Sequence, residues 1–404
     1  MAKRSDQTRV LIYSHDSFGL GHLRRCRAIA HDLVENHKDM SVLILSGSPI
    51  IGSFDFRSRV DFVRVPGVIK LRNGEYTSLN LHIDTEETLA MRASIIEHTA
   101  ETFDPDLLIV DKEPLGLRGE VKGTLEMLKA RGTPLALGLR DVMDEPALLA
   151  PEWERKNVLP ALEDLYDHIW IYGLPQICDP LDGIDLPHGV RSKMAYTGYL
   201  PRSASTAGGP AAAPFEEPYV LVTPGGGGDG EDMVDWVLAA YEADRRMPHP
   251  ALIVLGPFMQ RERQADFIGR AERLDDVEII TFDAHMENLM AAAVGIVAMG
   301  GYNTFCEILS FDKRAVLVPR TRPRMEQYIR VSRAEDLGLV RMLEDDGHRP
   351  PSAMIRALRA LPAQPKPSEV VVPGLLEGLV NVNRLVDAAV DRAPPPPLRA
   401  RQSA

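Results

Sequence analysis

The stretch Met299–Glu307 constrains this chain more than any other part of it. It continues the apolar run Gly295–Met299, which predicts a buried strand, and a helical pattern follows it. A strand that turns through Gly300 and Gly301 into a helix presents free backbone N–H groups at the positive end of the helix dipole, which suits phosphate. Glu307 lies one turn into that helix, where its carboxylate can accept hydrogen bonds from two vicinal hydroxyls, as on a ribose.

Length and composition limit the class of protein. A chain of 404 residues is too long for one ordinary core, so two domains are expected, and 45% hydrophobic with 26% charged residues is typical of a soluble globular protein. The net charge of −12 argues against a nucleic-acid binder. No apolar run reaches the length of a membrane span and no signal segment precedes the first strand, so we expect a cytoplasmic protein. The three scattered cysteines predict no disulfide.

Short apolar strands alternate with amphipathic helices, which predicts an α/β fold with mostly parallel sheets. The first such unit runs from a strand at Arg9–His15 to a strand at Met194–Gly198, and the second begins at Tyr219. Between them, Pro201–Pro218 is rich in Ala, Gly, Ser and Pro, as in a linker. The predicted division is a first domain at 1–200, a linker at 201–218, a second domain at 219–373, a final helix at 374–392 and a disordered tail at 393–404.

Two more loops of the second unit carry polar groups at strand ends. The glycine run Gly225–Gly230 follows a strand but lacks the Gly-Lys-Thr ending of a P-loop, which argues against an ATPase. The loop after the strand Val316–Pro319 carries three arginines that suit a diphosphate or an anionic acceptor, and then Glu326 and Gln327. Phosphate, ribose and sugar hydroxyls therefore have candidate partners on consecutive loops at one sheet edge.

His22 is the candidate general base in the first unit. It follows Gly19 and Gly21, which let backbone approach a ligand closely, at the predicted start of a helix. A helix N-terminus disfavours the imidazolium, so this histidine should stay neutral and accept a proton near pH 7. Helix capping or packing is the alternative role. Arg24 stands where a dinucleotide fingerprint needs its third glycine, which argues against NAD.

Other polar residues follow the strands of the first unit. Asp111, Arg140 and Asp141 come at carboxyl ends of predicted strands, hence on the side where ligands bind. Acceptor binding is one interpretation of these residues, and salt bridges within the protein are the other. The segment Asp104–Asp106 looks like a metal-binding Asp-x-Asp, but it precedes a strand, so we predict a turn there and expect no metal.

The second unit resembles the carboxy-terminal half of glycosyltransferase family 28, the lipid-II-pathway N-acetylglucosaminyltransferase and its relatives, over about Tyr219–Leu343. The residues that carry the resemblance are Gly300, Gly301, Thr304, Glu307, Val318, Pro319, Glu326 and Gln327. It implies the GT-B architecture, two Rossmann-like domains facing each other across a cleft, with the final helix crossing back to the first domain. It further implies an inverting, metal-independent glycosyltransferase that moves a sugar from a nucleotide-diphosphate donor, UDP-linked in this family, to a hydroxyl acceptor.

The resemblance also assigns roles to residues. It implies that the donor contacts Gly225, Gly226, Gly227, Phe282, Asp283, His285, Met286, Gly300, Gly301, Asn303, Thr304, Glu307, Glu326 and Gln327. His22 would take the acceptor proton, and the acceptor-side residues would be Gly19, Gly21, Asp111, Arg140 and Asp141. The partners implied are a nucleotide-sugar donor, used as substrate with no further cofactor, and a saccharide or lipid-linked acceptor. The resemblance thereby implies a role in cell-envelope or exopolysaccharide biosynthesis. With a lipid-linked acceptor, it also implies that the protein associates peripherally with the membrane.

Two alternative functions stay open. The loop Gly19–Arg25 is similar to that of the nucleotide-sugar hydrolase of the pseudaminic acid pathway, which has the same fold and directs water at the anomeric carbon. By that resemblance His22 would be the base of a hydrolase. The other alternative is a sugar-nucleotide-binding protein without catalysis.

Overall fold

The computed structural model describes residues 7–15, 21–70, 76–203, 215, 217–226, 228–283 and 285–390. The first half contains a seven-stranded parallel sheet and a two-stranded antiparallel ribbon. Its strands are β1 (Thr8–Ser14), β2 (Met40–Ser46), β3 (Val60–Arg64), β4 (Val68–Lys70), β5 (Tyr76–Ser78), β6 (Leu107–Asp111), β7 (Leu135–Arg140), β8 (His168–Tyr172) and β9 (Met194–Tyr196). Its helices are α1 (Gly21–Asn36), α2 (Thr85–Phe103), α3 (Lys122–Ala130), α4 (Pro146–Arg155), α5 (Val158–Asp164) and α6 (His188–Arg191).

The second half contains a six-stranded parallel sheet. Its strands are β10 (Val220–Thr223), β11 (Ala251–Val254), β12 (Val277–Ile280), β13 (Gly295–Ala298), β14 (Arg314–Leu317) and β15 (Arg341–Met342). Its helices are α7 (Glu231–Ala243), α8 (Arg261–Ala271), α9 (Met286–Ala292), α10 (Tyr302–Ser310), α11 (Glu326–Asp336), α12 (Pro351–Ala360) and α13 (Gly378–Ala389). Short 3-10 turns lie at Ile51–Ser53, Leu117–Gly119, Leu361–Ala363 and Pro367–Glu369.

Both sheets reverse their strand order next to their first strand. The order is β3-β2-β1-β6-β7-β8-β9 in the first sheet and β12-β11-β10-β13-β14-β15 in the second. Central strands such as β1 are continuous apolar runs because helices cover both sides of the sheet, and Val10, Leu11 and Ile12 are fully buried. The loops after β1 and β6, and those after β10 and β13, therefore open at the switch points where ligands bind in such sheets.

The final helix lies against the first domain. The Gly378 backbone N–H donates to the Tyr199 carbonyl at 3.1 Å, and the Asn381 side chain donates to the Thr197 carbonyl at 2.8 Å. Further along α13, Asn383 Oδ1 lies 3.1 Å from the His37 ring at the end of α1. The helix begins at Gly378, whereas the predicted segment was 374–392.

The structure differs from the sequence predictions mainly in short elements. The ribbon β4–β5 and strand β15 were not predicted, because strands of two or three residues are too short to show a period of two. The turn predicted at Asp104 is present, since this residue ends α2 in the left-handed conformation with φ of 49°. Most of the predicted linker and the whole predicted tail at 393–404 lie outside the described residues. No helix in the described ranges is long and apolar enough to cross a membrane.

A buried ion pair joins the two domains. The Arg330 guanidinium on α11 donates to both carboxylate oxygens of Asp141, which follows β7, at 2.7 and 2.6 Å, and both side chains have 0% exposure. Tyr199 donates to the same carboxylate at 2.7 Å, and Arg330 also donates to the Gly300 carbonyl at 3.0 Å. This network connects the first sheet to the glycine turn of the second, so it sets the width of the cleft.

We expect Arg330→Met to destabilise the protein strongly, because it leaves the Asp141 carboxylate buried without its counter-charge. The free energy of unfolding should fall by about 3 to 5 kcal/mol, measured by urea denaturation followed by circular dichroism. The matched control is Arg333→Met on the same helix, where the side chain is 62% exposed, and its effect should stay within about 0.5 kcal/mol. Equal losses in the two variants would contradict a special role for the buried pair.

Candidate functional site

A cavity of about 310 Å³ lies between the two domains, at the size of a small-ligand site. Both domains contribute to its walls, the first through α1 and the end of β7, the second through the ends of its strands. Residues predicted for the donor or the acceptor line it: Gly21, His22, Arg140, Gly225, Gly226, Phe282, Asp283, Met286, Gly301, Asn303, Thr304, Glu307, Glu326 and Gln327. The tertiary structure thus brings most of the predicted site together.

The turn from β13 into α10 forms one wall of the cavity. Gly300 has φ of +78°, and a Cβ there would lie 2.4 Å from Val331 Cγ2, so both conformation and space require glycine. Gly301 caps α10 without any side-chain hydrogen bond to the first turn. The first-turn residues Asn303 and Thr304 line the cavity, where their backbone N–H groups and the helix dipole favour an anion.

Glu307 lies in the same wall and is paired with an arginine of the first domain. Its side chain is only 3% exposed, and Arg24 Nη2 from α1 lies 2.6 Å from its Oε1. The same guanidinium lies 2.5 Å from Glu287 Oε1 on α9. Burial raises the pKa of Glu307, and Arg24 opposes that rise. Arg24 therefore supplies the positive charge that this buried carboxylate needs to stay ionised.

Glu326 and Gln327 are the first two residues of α11, and both line the cavity. Arg140, from the first domain, and Arg320 both pair with Glu326. Burial disfavours the ionised carboxylate, but Arg140 and the other cations outweigh it and lower the pKa of Glu326 to about 2. The Gln327 side-chain carbonyl accepts from the Arg320 backbone N–H at 3.1 Å, which fixes the orientation of its amide.

Apolar side chains line a further part of the cavity, which we call the apolar slot. Phe282 and Met286 line it as predicted, together with Phe258, Val254 and Met290, which the sequence analysis did not single out. His285 is exposed and outside the lining, so its predicted donor contact has no support in this geometry. Gly227 lies outside the described residues.

His22 contacts a buried ion pair formed by Asp111 and Arg25. It is the second residue of α1, and its Nδ1 lies 2.5 Å from Asp111 Oδ2 at the end of the neighbouring strand β6. Arg25, one turn further along α1, donates to both oxygens of Asp111 at 2.7 Å. Asp111 is 1% exposed, and burial would raise its pKa, but Arg25 and His22 together hold that pKa far below the usual range.

This arrangement decides the tautomer of His22. Because Asp111 is an ionised acceptor, Nδ1 must carry the proton and donate it, which leaves Nε2 as an acceptor. Arg25 Nη2 also lies 3.2 Å from Nδ1, but a nitrogen that donates to Asp111 does not accept from Arg25. Burial lowers the pKa of His22, and Asp111 partly offsets this, so the ring is neutral near pH 7. Its side chain keeps 18% exposure and lines the cavity.

The remaining acceptor-side predictions have different outcomes. Arg140 and Gly21 line the cavity, and the Gly21 carbonyl accepts from the Asn303 side chain at 3.1 Å. Asp111 lies behind His22 and orients it rather than facing a ligand. Asp141 is closed to any ligand in this structure, because Arg330 and Tyr199 occupy its carboxylate. Gly19 lies outside the described residues.

Sequence reasoning missed Arg24 and Arg25 as site residues and treated Arg24 only as a missing glycine. The spacing could have indicated a role for Arg25, because it lies three residues after His22 and therefore next to it on the helix surface. Nothing in the local pattern indicated that Arg24 meets two carboxylates of the second domain. Within the described residues, no group of three or more His, Cys, Asp or Glu side chains could hold a metal ion.

Comparison with known proteins supports the sequence resemblance. Residues 223–369 match the family model of the glycosyltransferase family 28 C-terminal domain, close to the predicted Tyr219–Leu343. No curated protein sequence matches the chain.

Solved glycosyltransferases share the architecture over nearly the whole chain. The calicheamicin glycosyltransferase CalG4 superposes with a TM-score of 0.61 at 15% identity, covering 97% of this chain and 100% of CalG4. UGT71G1 of Medicago truncatula, solved with UDP-glucose, gives 0.60 at 13% identity over 95% and 98% of the two chains. MurG of Acinetobacter baumannii gives 0.54 at 13% identity over 95% and 98%. The predicted architecture of two facing α/β domains is confirmed.

We expect the His22 ring to titrate below the usual 6.5 of histidine, because burial lowers its pKa. The measurement is an NMR titration of the histidine ring protons, with His22→Gln to assign the signal. In Asp111→Asn the midpoint should fall further, because the carboxylate that favours the imidazolium is lost. A midpoint above 6.5 in the wild type would contradict the buried, neutral ring described above.

Proposed function

We propose that the protein is an inverting, metal-independent glycosyltransferase, because residues 223–369 match the glycosyltransferase family 28 C-terminal domain and the chain shares its two-domain architecture with solved glycosyltransferases. It moves a sugar from a nucleotide-diphosphate donor, UDP-linked, to a hydroxyl acceptor. The observation that carries the proposal is the His22–Asp111 pair, held at 2.5 Å beside a cavity that the first turn of α10 also lines.

The cavity offers the donor one subsite for each of its parts. The apolar slot with Phe282 and Met286 suits a nucleobase, and Glu307 suits the ribose hydroxyls. The N-terminus of α10 and the glycines Gly225 and Gly226 suit the diphosphate, while Glu326 and Gln327 suit the sugar. The structure of UGT71G1 was solved with UDP-glucose, and this supports a UDP-sugar in the present chain.

The chemistry needs one base and one stabilised leaving group. The acceptor hydroxyl attacks the anomeric carbon, the bond from that carbon to the diphosphate oxygen breaks, and the acceptor proton goes to His22 Nε2. The N–H groups and dipole of α10 stabilise the negative charge of the departing diphosphate, so the step requires no metal. Glu307 and Glu326 are both paired with arginines, which argues against a covalent intermediate on either and supports a single inverting displacement.

First-domain groups contact three of the residues proposed to bind the donor. Arg24 pairs with Glu307, Arg140 pairs with Glu326, and the Gly21 carbonyl accepts from Asn303. A donor that enters the cavity has to share or replace these contacts. Donor binding is therefore coupled to the position of the first domain, where the base His22 lies.

The second candidate function is hydrolysis of a nucleotide sugar. The segment Gly21–Arg25 favours it, because the loop around it is similar to that of the pseudaminic-acid-pathway hydrolase. The same His22 would then take a proton from water. For the transferase we propose a saccharide or lipid-linked acceptor, reached in the cytoplasm or at the inner face of the cell membrane.

Nucleotide binding should depend on Glu307 but not on Glu287. Both carboxylates pair with Arg24, at 2.6 and 2.5 Å, so Glu287→Gln is a matched control for the loss of that contact. With UDP at about a hundred times its dissociation constant, the folded state gains roughly 2.7 kcal/mol, which is visible as a shift of the melting temperature. We expect the shift in wild type and Glu287→Gln and its loss in Glu307→Gln. Shifts of equal size in the two variants would remove Glu307 from the ribose site.

Turnover should depend on His22. We expect His22→Gln to lower UDP release from UDP-sugars by about a hundredfold or more, with UDP affinity nearly unchanged. The control is His31→Gln, on the same helix but outside the cavity lining. UDP release measured with water alone and with a panel of sugar acceptors separates the two functions, because a hydrolase needs no acceptor. Full activity in His22→Gln would contradict the proposed mechanism for both.

A further inference from the structure

Lys112 follows β6 at the carboxyl edge of the first sheet, the edge at which ligands bind in such sheets, and the proposed mechanism does not use it. It directly follows Asp111, the carboxylate that orients His22. Its backbone is in the left-handed region, with φ of 68°, a conformation that is unfavourable for residues other than glycine. The Lys112 N–H donates to the Gly138 carbonyl on β7 at 2.8 Å, so the sheet holds this conformation. Strained backbone of this kind concentrates at functional sites.

The Lys112 ammonium has no hydrogen-bond acceptor in the described part of the chain. Its side chain is only 15% exposed, and the closest carboxylate oxygen, Oε1 of Glu113, lies 3.8 Å from Nζ. Glu113 is already bonded to Lys156 at 3.0 Å. Lys156 makes a useful contrast, because it is 41% exposed and also bonds Glu152 at 2.6 Å. Lys112 is therefore neither a solvated surface lysine nor a member of a satisfied ion pair.

Charges from both domains surround Lys112. Burial, Arg140 and Arg324 together lower the pKa of Lys112 to about 8, although Glu113 and Glu326 oppose them. His15 and His22 are the other titratable groups that interact with it. Two of these charged groups, Arg140 and Glu326, line the cavity, whereas Lys112 itself follows β6 at the carboxyl edge of the first sheet and is not among the lining residues. An anionic group here would relieve the repulsion among three cations.

We propose that Lys112 binds an anionic oxygen group, a carboxylate or a phosphate, on a substrate of the proposed reaction. The group is carried either by the transferred sugar or by the acceptor, and this inference rests on the proposed function. The acid has to reach the carboxyl end of β6, where Lys112 directly follows Asp111, the residue that orients His22. Lys112 selects the substrate through its charge and takes no part in the proton transfer.

The experiment compares charged and neutral probes by calorimetry at pH 7. One arm measures the dissociation constants of UDP-glucuronic acid and UDP-glucose, which differ in a carboxylate on the sugar. The other measures glucose 6-phosphate and glucose binding to the protein saturated with UDP. We expect the charged probe to bind at least about tenfold more tightly than its neutral counterpart in one arm, as a charge-assisted hydrogen bond allows. The arm that responds identifies which substrate carries the charge.

The variants isolate the charge of Lys112. Lys112→Met keeps the aliphatic stem and the backbone strain, so only the charge is lost and the preference should disappear. Lys112→Arg should keep the preference, and so should Lys156→Met, the nearby control. In the wild type the preference should weaken as pH rises through about 8, because the ammonium loses its proton, and it should not weaken in Lys112→Arg.

Three results would overturn the inference while leaving the proposed function intact. They are UDP binding without a charge preference in either arm, a preference that survives in Lys112→Met, and a preference with the same pH dependence in Lys112→Arg. UDP and UDP-sugars that fail to bind the wild type would instead overturn the proposed function, and this inference with it. Retained UDP binding in Lys112→Met shows that the variant is folded.

Discussion

The buried pair between Asp141 and Arg330 is the interaction on which the rest of the site depends. The cavity is made from two domains, so its shape exists only while the domains keep one relative position. An ion pair with both partners at 0% exposure is costly to separate, because each charge would be left in an apolar interior. Arg330 also holds the Gly300 carbonyl, and so the same side chain supports the turn from which the anion site is built.

The same principle recurs along the cleft, where each buried carboxylate has its own arginine. Arg25 compensates Asp111, Arg24 compensates Glu307, and Arg140 compensates Glu326. In the last two pairs the arginine and the carboxylate belong to different domains. Residues proposed to bind the donor thus also connect the two domains, so donor binding and domain position cannot be independent.

Local patterns were sufficient to predict several parts of the site. The two glycines before α10, the carboxylate one turn later and the histidine at the start of α1 are all defined by short-range spacing. Such features survive in any tertiary context, since a glycine turn and a helix N-terminus expose the same backbone groups wherever they lie. The predicted ligand contacts of Asp141 and His285, in contrast, depend on the tertiary context, and the structure gives them no support. A position at a strand end or in a loop does not say whether the side chain is open to a ligand.

Local sequence patterns are enough to predict the two alternating α/β units, the glycine turn with its anion-binding helix end, and the histidine on the first helix. Which charged and polar groups contact each other depends instead on the tertiary structure. Asp111 lies 89 residues from His22, and Arg140 lies 186 residues from Glu326. These pairs depend on strand order and on how one sheet faces the other, and both follow from the burial of whole helix and sheet faces. No local spacing encodes such long-range contacts, whereas turns and helix ends are set by neighbouring residues alone.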